Sequence, residues 1–480
     1  MTFQYKFFER GIGTKTKIIY SDFSFFYLVC LFTSIYMKKV LILGAGLVAK
    51  PMVEYLLERK IPLIIASPMK QRADAMINKN PLGSSVDWSM DDPAGLEKLV
   101  EENDLTVSLL PYKYHAEVAR VCLKFKKSLV TTSYVQPEMR ALNESAKEAG
   151  VLFLNELGLD PGIDHMTAMK IIDYVHLKGG RVEEFYSLCG ALPAPEHADN
   201  PLKYKFTWSP KGVILASRNS ALYLKKGKET FIDSVNLFKD RFTYNFPAIG
   251  DLEVYPNRDS IFYKDIYDIP NVKTMYRGTF RYQGWCETLD AMKSINMLDD
   301  SVSDYERMSY AEFIAERAGI ENKDLRKNLA KKLGLSESST PMKSLDFLGF
   351  FDDEKLHYQE TSPFEITSDR MIKKMMLPDN ERDVVLLQHI ILASYPNATK
   401  EVIKSSMIDY GSPATNTAIS RTVALPASIA ARMILEGKIM LSGVYRPVLP
   451  QIYIPILNEL KTLGIEMNEE YGLPDSEMIK

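Results

Sequence analysis

Arg258 and Arg281 stand in the segments YPNRDS and RGTFRYQGW, amid aromatic and turn-forming residues. A guanidinium fork takes a carboxylate through two parallel hydrogen bonds, so two such arginines suit a polyanionic ligand. Singly, each is more often half of a surface ion pair. Asp160, in ELGLDPGIDHM, occupies a Pro-Gly turn directly after a strand-like run. A carboxylate held there could accept a proton or pair a cation, although aspartate before Pro-Gly is also a common turn former. Asp164 reads as a helix N-cap. His165, in the first helical turn, is either a second candidate base or a structural histidine. Lys203 and Lys205, in a loop beside Trp208, could reach a carboxylate, solvation being the commoner state of lysine.

A different chemistry belongs to GAGLVA, which follows the apolar run KVLIL and opens a helical pattern. Gly44 makes the tight turn, Gly46 lets the backbone approach a pyrophosphate, and Ala49 is small enough for close helix–strand packing. The helix N-terminus beyond offers free N–H groups to phosphates. The next strand ends in Ala66-Ser67-Pro68, where a carboxylate for a ribose 2′-hydroxyl would normally stand. With that acid absent and Lys70 and Arg72 just beyond, the sequence favours NADP over NAD, the alternative being that both cations lie on a solvated helix face. Asp87 could contact the adenine side or be an ordinary loop acid. Leu110-Pro111 and the run Thr131, Thr132, Ser133, Tyr134 end further strands at the edge where a nicotinamide lies. The hydroxyls of that run could touch cofactor and substrate, or satisfy buried backbone.

The elements that must position these residues are legible in the periodicity. KVLIL, PLIIA, LTVSLL, SLVTTSY and VLFLN are short apolar runs separated by helical stretches over Val48–Arg59, Tyr114–Phe125 and Pro137–Ala149. That alternation calls for an α/β, doubly wound parallel Rossmann sheet. After Gly180, VEEFYSLCG, KGVILAS, TFIDS and NVKTMYRGTFRY are strand-like, which points to a mixed α+β domain for substrate binding and dimerisation. YAEFIAERAGI and KDLRKNLAKKLG mark a small helical insertion, VVLLQHIILA resumes strand character, and Thr415–Lys438 is helical and rich in small residues. The expected division is an N-terminal extension, 1–36; a Rossmann domain, 37–160, completed by about 440–480; a substrate domain, 161–290 and 384–440; and the helical insertion, 291–383.

At 480 residues two or three domains are expected, and 46% apolar with 25% charged residues is globular composition. A net charge of -3 with mixed signs gives no electrostatic case for nucleic acid. The four cysteines lie far apart, with no CxxC and no pairing at metal spacing, so a reducing, cytoplasmic setting without a metal is expected. Residues 25–36 (FFYLVCLFTSIY) follow Arg10, Lys15 and Lys17 but lack a cleavage pattern and are short for a membrane span. Three readings stay open there: translation beginning at Met37, an anchor, or a disordered or targeting extension.

GAGLVA, SLLPY, VTTSY, ELGLDPGIDHM, GALPAPEHADNPLKYKFTWSPKGV, YPNRDS and RGTFRYQGW, in that order, resemble the glutamate-forming saccharopine dehydrogenase (saccharopine reductase) family; RTVALPASIAARMILEGKI extends the likeness toward the C-terminus. The resemblance implies that L-saccharopine, NAD(P)+ and water are converted reversibly to 2-aminoadipate 6-semialdehyde, L-glutamate and NAD(P)H in lysine metabolism. It places Ser133, Tyr134, Asp160, Arg258, Thr279, Phe280 and Arg281 at substrate positions, the arginines clamping carboxylates and Asp160 pairing an ammonium group. It places Ala45, Leu47, Val48, Ser67, Pro68, Met69, Asp87, Leu110, Thr132 and Leu159 on or near the cofactor, with Gly44 and Gly46. Asp160 is the candidate general base, because imine formation needs a deprotonated secondary amine. A homodimer is expected from the apolar C-terminal helices, and no membrane association.

Two other readings compete. A related reductase condensing a semialdehyde with a polyamine would need acidic groups for cationic ends, whereas the arginine pair favours a carboxylate-rich amino acid. A non-catalytic Rossmann binding module draws what support it has from residues 1–36.

Overall fold

The strand Val40–Leu43 is buried on both faces, as its unbroken apolar sequence requires, and lies inside a seven-stranded parallel sheet, third from one edge. In this computed structural model, which describes residues 37–479, the sheet runs Gly83–Val86, Leu63–Ala66, Val40–Leu43, Leu105–Ser108, Ser128–Thr131, Leu152–Leu154 and Gly443–Tyr445. The expectations for residues 1–36 lie outside the described residues. Strand order reverses beside Val40–Leu43, so Gly44 and Leu109 flank the switch point at the carboxyl edge, where open α/β sheets bind ligands. The run SLVTTSY is strand only to Thr131; Thr132, Ser133 and Tyr134 turn away at that edge. The seventh strand comes from the far end of the chain and pairs with Leu152–Leu154.

The second sheet has nine strands and is mixed. At its middle, Arg181–Pro193 pairs antiparallel with Asp383–Ser394 and parallel with Thr274–Arg281. Asp383–Ser394 is buried at every position but the last. One face of the sheet packs on the helices Ile163–Leu177 and Ala418–Leu435. The other is covered by an aromatic-rich core to which the helices Trp285–Ser294, Tyr310–Ala318, Thr340–Leu348 and Pro363–Met375 contribute. Asn468–Leu473 pairs with Lys400–Tyr410 of this sheet, so the C-terminal segment expected to complete the Rossmann half contributes to both sheets.

KGVILAS is not a strand. It lies in the helix Pro210–Ala216, with Pro210 in the first turn and only Val213 and Ile214 buried. A proline whose φ is preset for a helix start outweighs the local β-branched character. Ala418–Leu435 is long and apolar enough to cross a membrane by length and composition, yet 72% of it is buried within the fold. Asp383 accepts hydrogen bonds from its Ala418 (2.6 Å) and Ile419 (3.0 Å) N–H groups, so the central strand caps this helix.

Candidate active site

The turn after Val40–Leu43 has the geometry that a pyrophosphate needs. Gly44 has φ of 107° and donates its N–H to Ala66 O at 2.9 Å. A Cβ added to Gly46 would meet no atom within 4 Å, so its missing side chain leaves open space above the turn. The Leu47 and Val48 N–H groups have no hydrogen-bond partner among the described residues. The helix Lys50–Glu58 begins at Ala49 without a side-chain cap. Unpartnered N–H groups at a helix start form an anion cradle, which fits a dinucleotide phosphate. Ala45 is fully buried beneath the turn. Ser67 is buried and accepts from Met69 N (3.1 Å), while Pro68, Met69 and Asp87 are exposed at the neighbouring strand ends. Lys70 is paired with Asp74 at 2.8 Å, whereas Arg72 is exposed and makes no ion pair among the described residues. Leu110 and Thr132 are half-buried at the edge. Leu159 is 4% exposed and its carbonyl accepts from Asp164 N, so its side chain belongs to the core.

Asp160 is drawn into a cluster that centres on Arg277, an arginine the sequence reading does not single out. Tyr134 Oη donates to Asp160 Oδ1 at 2.7 Å, and Arg277 donates to the same oxygen, to Tyr134 Oη at 3.2 Å and to Asp164 Oδ2 at 2.8 Å. Arg277 is 2% exposed and its guanidinium lies 4.4 Å from the Tyr263 ring centroid. Asp160 Oδ2 makes no hydrogen bond among the described residues. Asp164 is not the N-cap: Gly162, at φ 149°, holds that place, and the helix Ile163–Leu177 starts one residue before Asp164. Asp164 Oδ1 instead accepts from Gly162 N at 2.6 Å while burial pushes its carboxyl upward. Burial likewise pushes the Tyr134 hydroxyl well above its ordinary range, so it stays protonated as a donor.

Behind this cluster His165 is fully buried, with Nδ1 2.6 Å from Tyr267 Oη and Nε2 2.8 Å from Glu156 Oε2. It is walled in by aromatic rings, so the structure favours the structural reading of this histidine. Glu156 Oε1 accepts from Val135 N (2.9 Å) and Arg446 (2.7 Å). Burial would push the Glu156 carboxyl up, but His165, Arg446 and the Val135 N–H outweigh it and hold the group at about 2. A folded-state value below the unfolded 4.5 stabilises above pH 4.5, and that stabilisation fades as pH falls towards 2. Glu156→Gln is therefore expected to lose about 3 kcal/mol to the parent in urea unfolding at pH 7, the gap narrowing once pH drops below the unfolded value. An equal gap at neutral and at strongly acidic pH would contradict this.

Side chains alternate along Thr274–Arg281, so Arg277, Thr279 and Arg281 share one face and Phe280 takes the other. Phe280 is fully buried and packs against Phe246 and Tyr244 in the aromatic core, so its side chain does not face a substrate. Thr279 is half-buried, opposite Tyr255 on the adjoining strand. Arg281 is 6% exposed and donates to Phe280 O at 2.8 Å; its Nε has no hydrogen-bond partner among the described residues. Tyr255, Tyr204, Cys286 and Cys189 surround it; its cross-strand neighbour Glu253 is bonded to Arg241, so Arg281 makes no ion pair among the described residues. A buried cation without a counter-ion is a site in want of an anion. Arg258 is exposed, with its guanidinium 5.5 Å from the Tyr134 ring centroid and no ion pair among the described residues. Lys205 is already paired with Glu381 (2.5 Å) and Asp199 (2.9 Å), and Lys203 is exposed.

Ser133 faces a further residue outside the sequence reading: its Oγ lies 2.9 Å from Nε2 of the buried His115. Only fold contacts reveal that pairing, since the residues come from different crossovers. Arg277 had a signal, because it lies at even spacing from Arg281 on one strand.

A dinucleotide cradle on a Rossmann sheet, facing a strand of buried arginines through Asp160 and Tyr134, defines a pyridine-nucleotide-dependent oxidoreductase acting on an anionic substrate. Two family models match the chain: the saccharopine dehydrogenase NADP binding domain over residues 40–154 and the saccharopine dehydrogenase C-terminal domain over 158–465. The chain belongs to the saccharopine dehydrogenase family, as its ordered motifs imply. The saccharopine dehydrogenase [NADP(+), L-glutamate-forming] of Schizosaccharomyces pombe is 36% identical over 447 residues, covering 90% of this chain and 99% of that protein. The mitochondrial alpha-aminoadipic semialdehyde synthase of Bos taurus is 35% identical over 89% of this chain but only 47% of its own length. The apo saccharopine dehydrogenase (L-Glu forming) of Saccharomyces cerevisiae superposes with a TM-score of 0.83 at 35% identity, covering 90% of this chain and 99% of that one.

Proposed function

We propose that this protein is an NADP-dependent saccharopine dehydrogenase: L-saccharopine, NADP+ and water give 2-aminoadipate 6-semialdehyde, L-glutamate, NADPH and a proton, reversibly, in lysine metabolism. The observation that carries the substrate assignment is Arg281, a buried guanidinium with no ion pair among the described residues, on the same strand face as Arg277. Arg281 and Arg258 take carboxylates of saccharopine, and the open Oδ2 of Asp160 takes its secondary ammonium. NADP+, when bound, supplies the hydride acceptor. Asp160 is placed to receive the proton of the secondary amine, its anion stabilised on Oδ1 by Arg277 and Tyr134. Tyr134 stays protonated and holds that carboxylate in register with the carboxyl edge of the Rossmann sheet. A polyamine substrate fits less well, because Asp164 is committed to Arg277 and Asp160 has one oxygen left.

Turnover of saccharopine by the purified chain, followed as reduced-nicotinamide absorbance, tests the assignment; a rate with a polyamine and none with saccharopine would reject it. Arg72 is a cation at the ribose end with no ion pair among the described residues, so Arg72→Ala is expected to raise the KM for NADP+ about tenfold and leave that for NAD+ unchanged. Equal changes in both constants would remove Arg72 from the 2′-phosphate site.

A further inference from the structure

The cofactor half contains a buried histidine that none of these steps uses. His115 opens the helix His115–Lys124 and is 4% exposed. Its Nδ1 lies 3.0 Å from Ser108 Oγ, at the end of Leu105–Ser108, and its Nε2 2.9 Å from Ser133 Oγ, just past Ser128–Thr131. Both serines sit at the carboxyl edge, and Ser133 directly precedes Tyr134, whose hydroxyl bonds Asp160. We propose that His115 is a positioning residue that fixes the hydroxyl of Ser133 toward bound substrate, an inference resting on the saccharopine dehydrogenase function and on Ser133 facing that substrate.

A serine hydroxyl rotates to suit whichever partner it meets. A neutral imidazole has one donor and one acceptor nitrogen, so once Ser108 engages Nδ1 the role left at Nε2 is defined. Ser133 is then held in one orientation, presenting either its lone pairs or its proton to the cleft, before substrate arrives. Burial pushes His115 down to about 4, so the ring is neutral at neutral pH and acts as an oriented dipole. A proton on it would turn both nitrogens into donors and leave an imidazolium in a largely buried place, which separates this role from that of a base. Orientation fixed in advance removes an ordering penalty from substrate binding and is felt in KM.

The test is a double-substitution cycle on the full chain with saccharopine and NADP+. His115→Phe keeps a flat ring and removes both nitrogens; Ser133→Ala removes the hydroxyl it orients. His115→Phe is expected to raise the saccharopine KM about tenfold, with kcat and the NADP+ KM unmoved. In the Ser133→Ala background it is expected to add nothing, because its effect passes through that hydroxyl. Ser108→Ala, which deletes one oxygen, should move the same KM in the same direction by less, and serves if His115→Phe does not fold. Additive losses in the double variant, a shift in the NADP+ KM alone, or parental constants in Ser108→Ala and His115→Phe would each overturn the proposal. No saccharopine turnover by the unaltered chain would instead reject the function on which it rests.

Discussion

Arg281→Met is expected to lower kcat/KM for saccharopine by about two to three orders of magnitude while leaving the fold as stable as before. A charge-assisted hydrogen bond to a carboxylate contributes about 1.5–3 kcal/mol, and a guanidinium fork makes two. The stability side follows from the missing counter-ion. Arg281 is buried among Tyr204, Tyr255 and Trp285, with its guanidinium 4.9 Å from the Tyr204 ring and 5.5 Å from the Trp285 ring, and it pairs with no acid among the described residues. Losing those ring contacts weakens the fold by about 1–2 kcal/mol, which removal of an unpaired buried charge offsets. Methionine replaces the aliphatic stem. Kinetics and thermal melting on one preparation decide it. A melting point several degrees lower with an unchanged KM would show a structural arginine.

Arg277→Met is expected to do the opposite, destabilising the protein by about 3–5 kcal/mol. Here one guanidinium serves two acids, Asp160 and Asp164, and the Asp164 side chain is 1% exposed. Removing it takes from Asp164 the guanidinium bonded to its Oδ2 and leaves His165 Nδ1, 3.7 Å away, as its remaining partner, in a place where burial already pushes its carboxyl up. Asp164→Asn in the same chain should recover a substantial part of the loss, because it deletes the stranded charge. Turnover should not recover with it, since Asp160 and Tyr134 have lost the group that holds them. Urea unfolding of the single and double variants gives the coupling directly; additive losses would show that the pairing contributes little.

The two arginines also mark where the sequence stops being informative. The Rossmann half is legible because its strands are short apolar runs punctuated by helices, and GAGLVA falls where a strand becomes a helix. Arg281 and Arg258 are visible as arginines among aromatics, and the structure separates them, one buried without an acid and the other exposed beside Tyr134. Arg277 looks no different from either in one dimension; its importance comes from two carboxylates on another element, brought close by the Asp160 turn. The phase of the strand could have excluded Phe280 as a side-chain contact, since it is out of step with Arg281 by one residue. His115 gives no local sign, because both its partners lie at the ends of other strands. KGVILAS misleads because seven apolar-rich residues satisfy either period, and the proline that starts the helix is the only discriminator.

The pairing of Gly443–Tyr445 with Leu152–Leu154 has a consequence for biogenesis. A ribosome releases the first six strands of the nucleotide-binding sheet nearly three hundred residues before the seventh. Until then Leu152–Leu154 is an open edge with hydrogen-bonding groups exposed, and Glu156 lacks the Arg446 that neutralises it. The nucleotide-binding sheet therefore waits on a strand made much later in synthesis, and a nascent chain stalled before residue 443 leaves that margin open to chaperones.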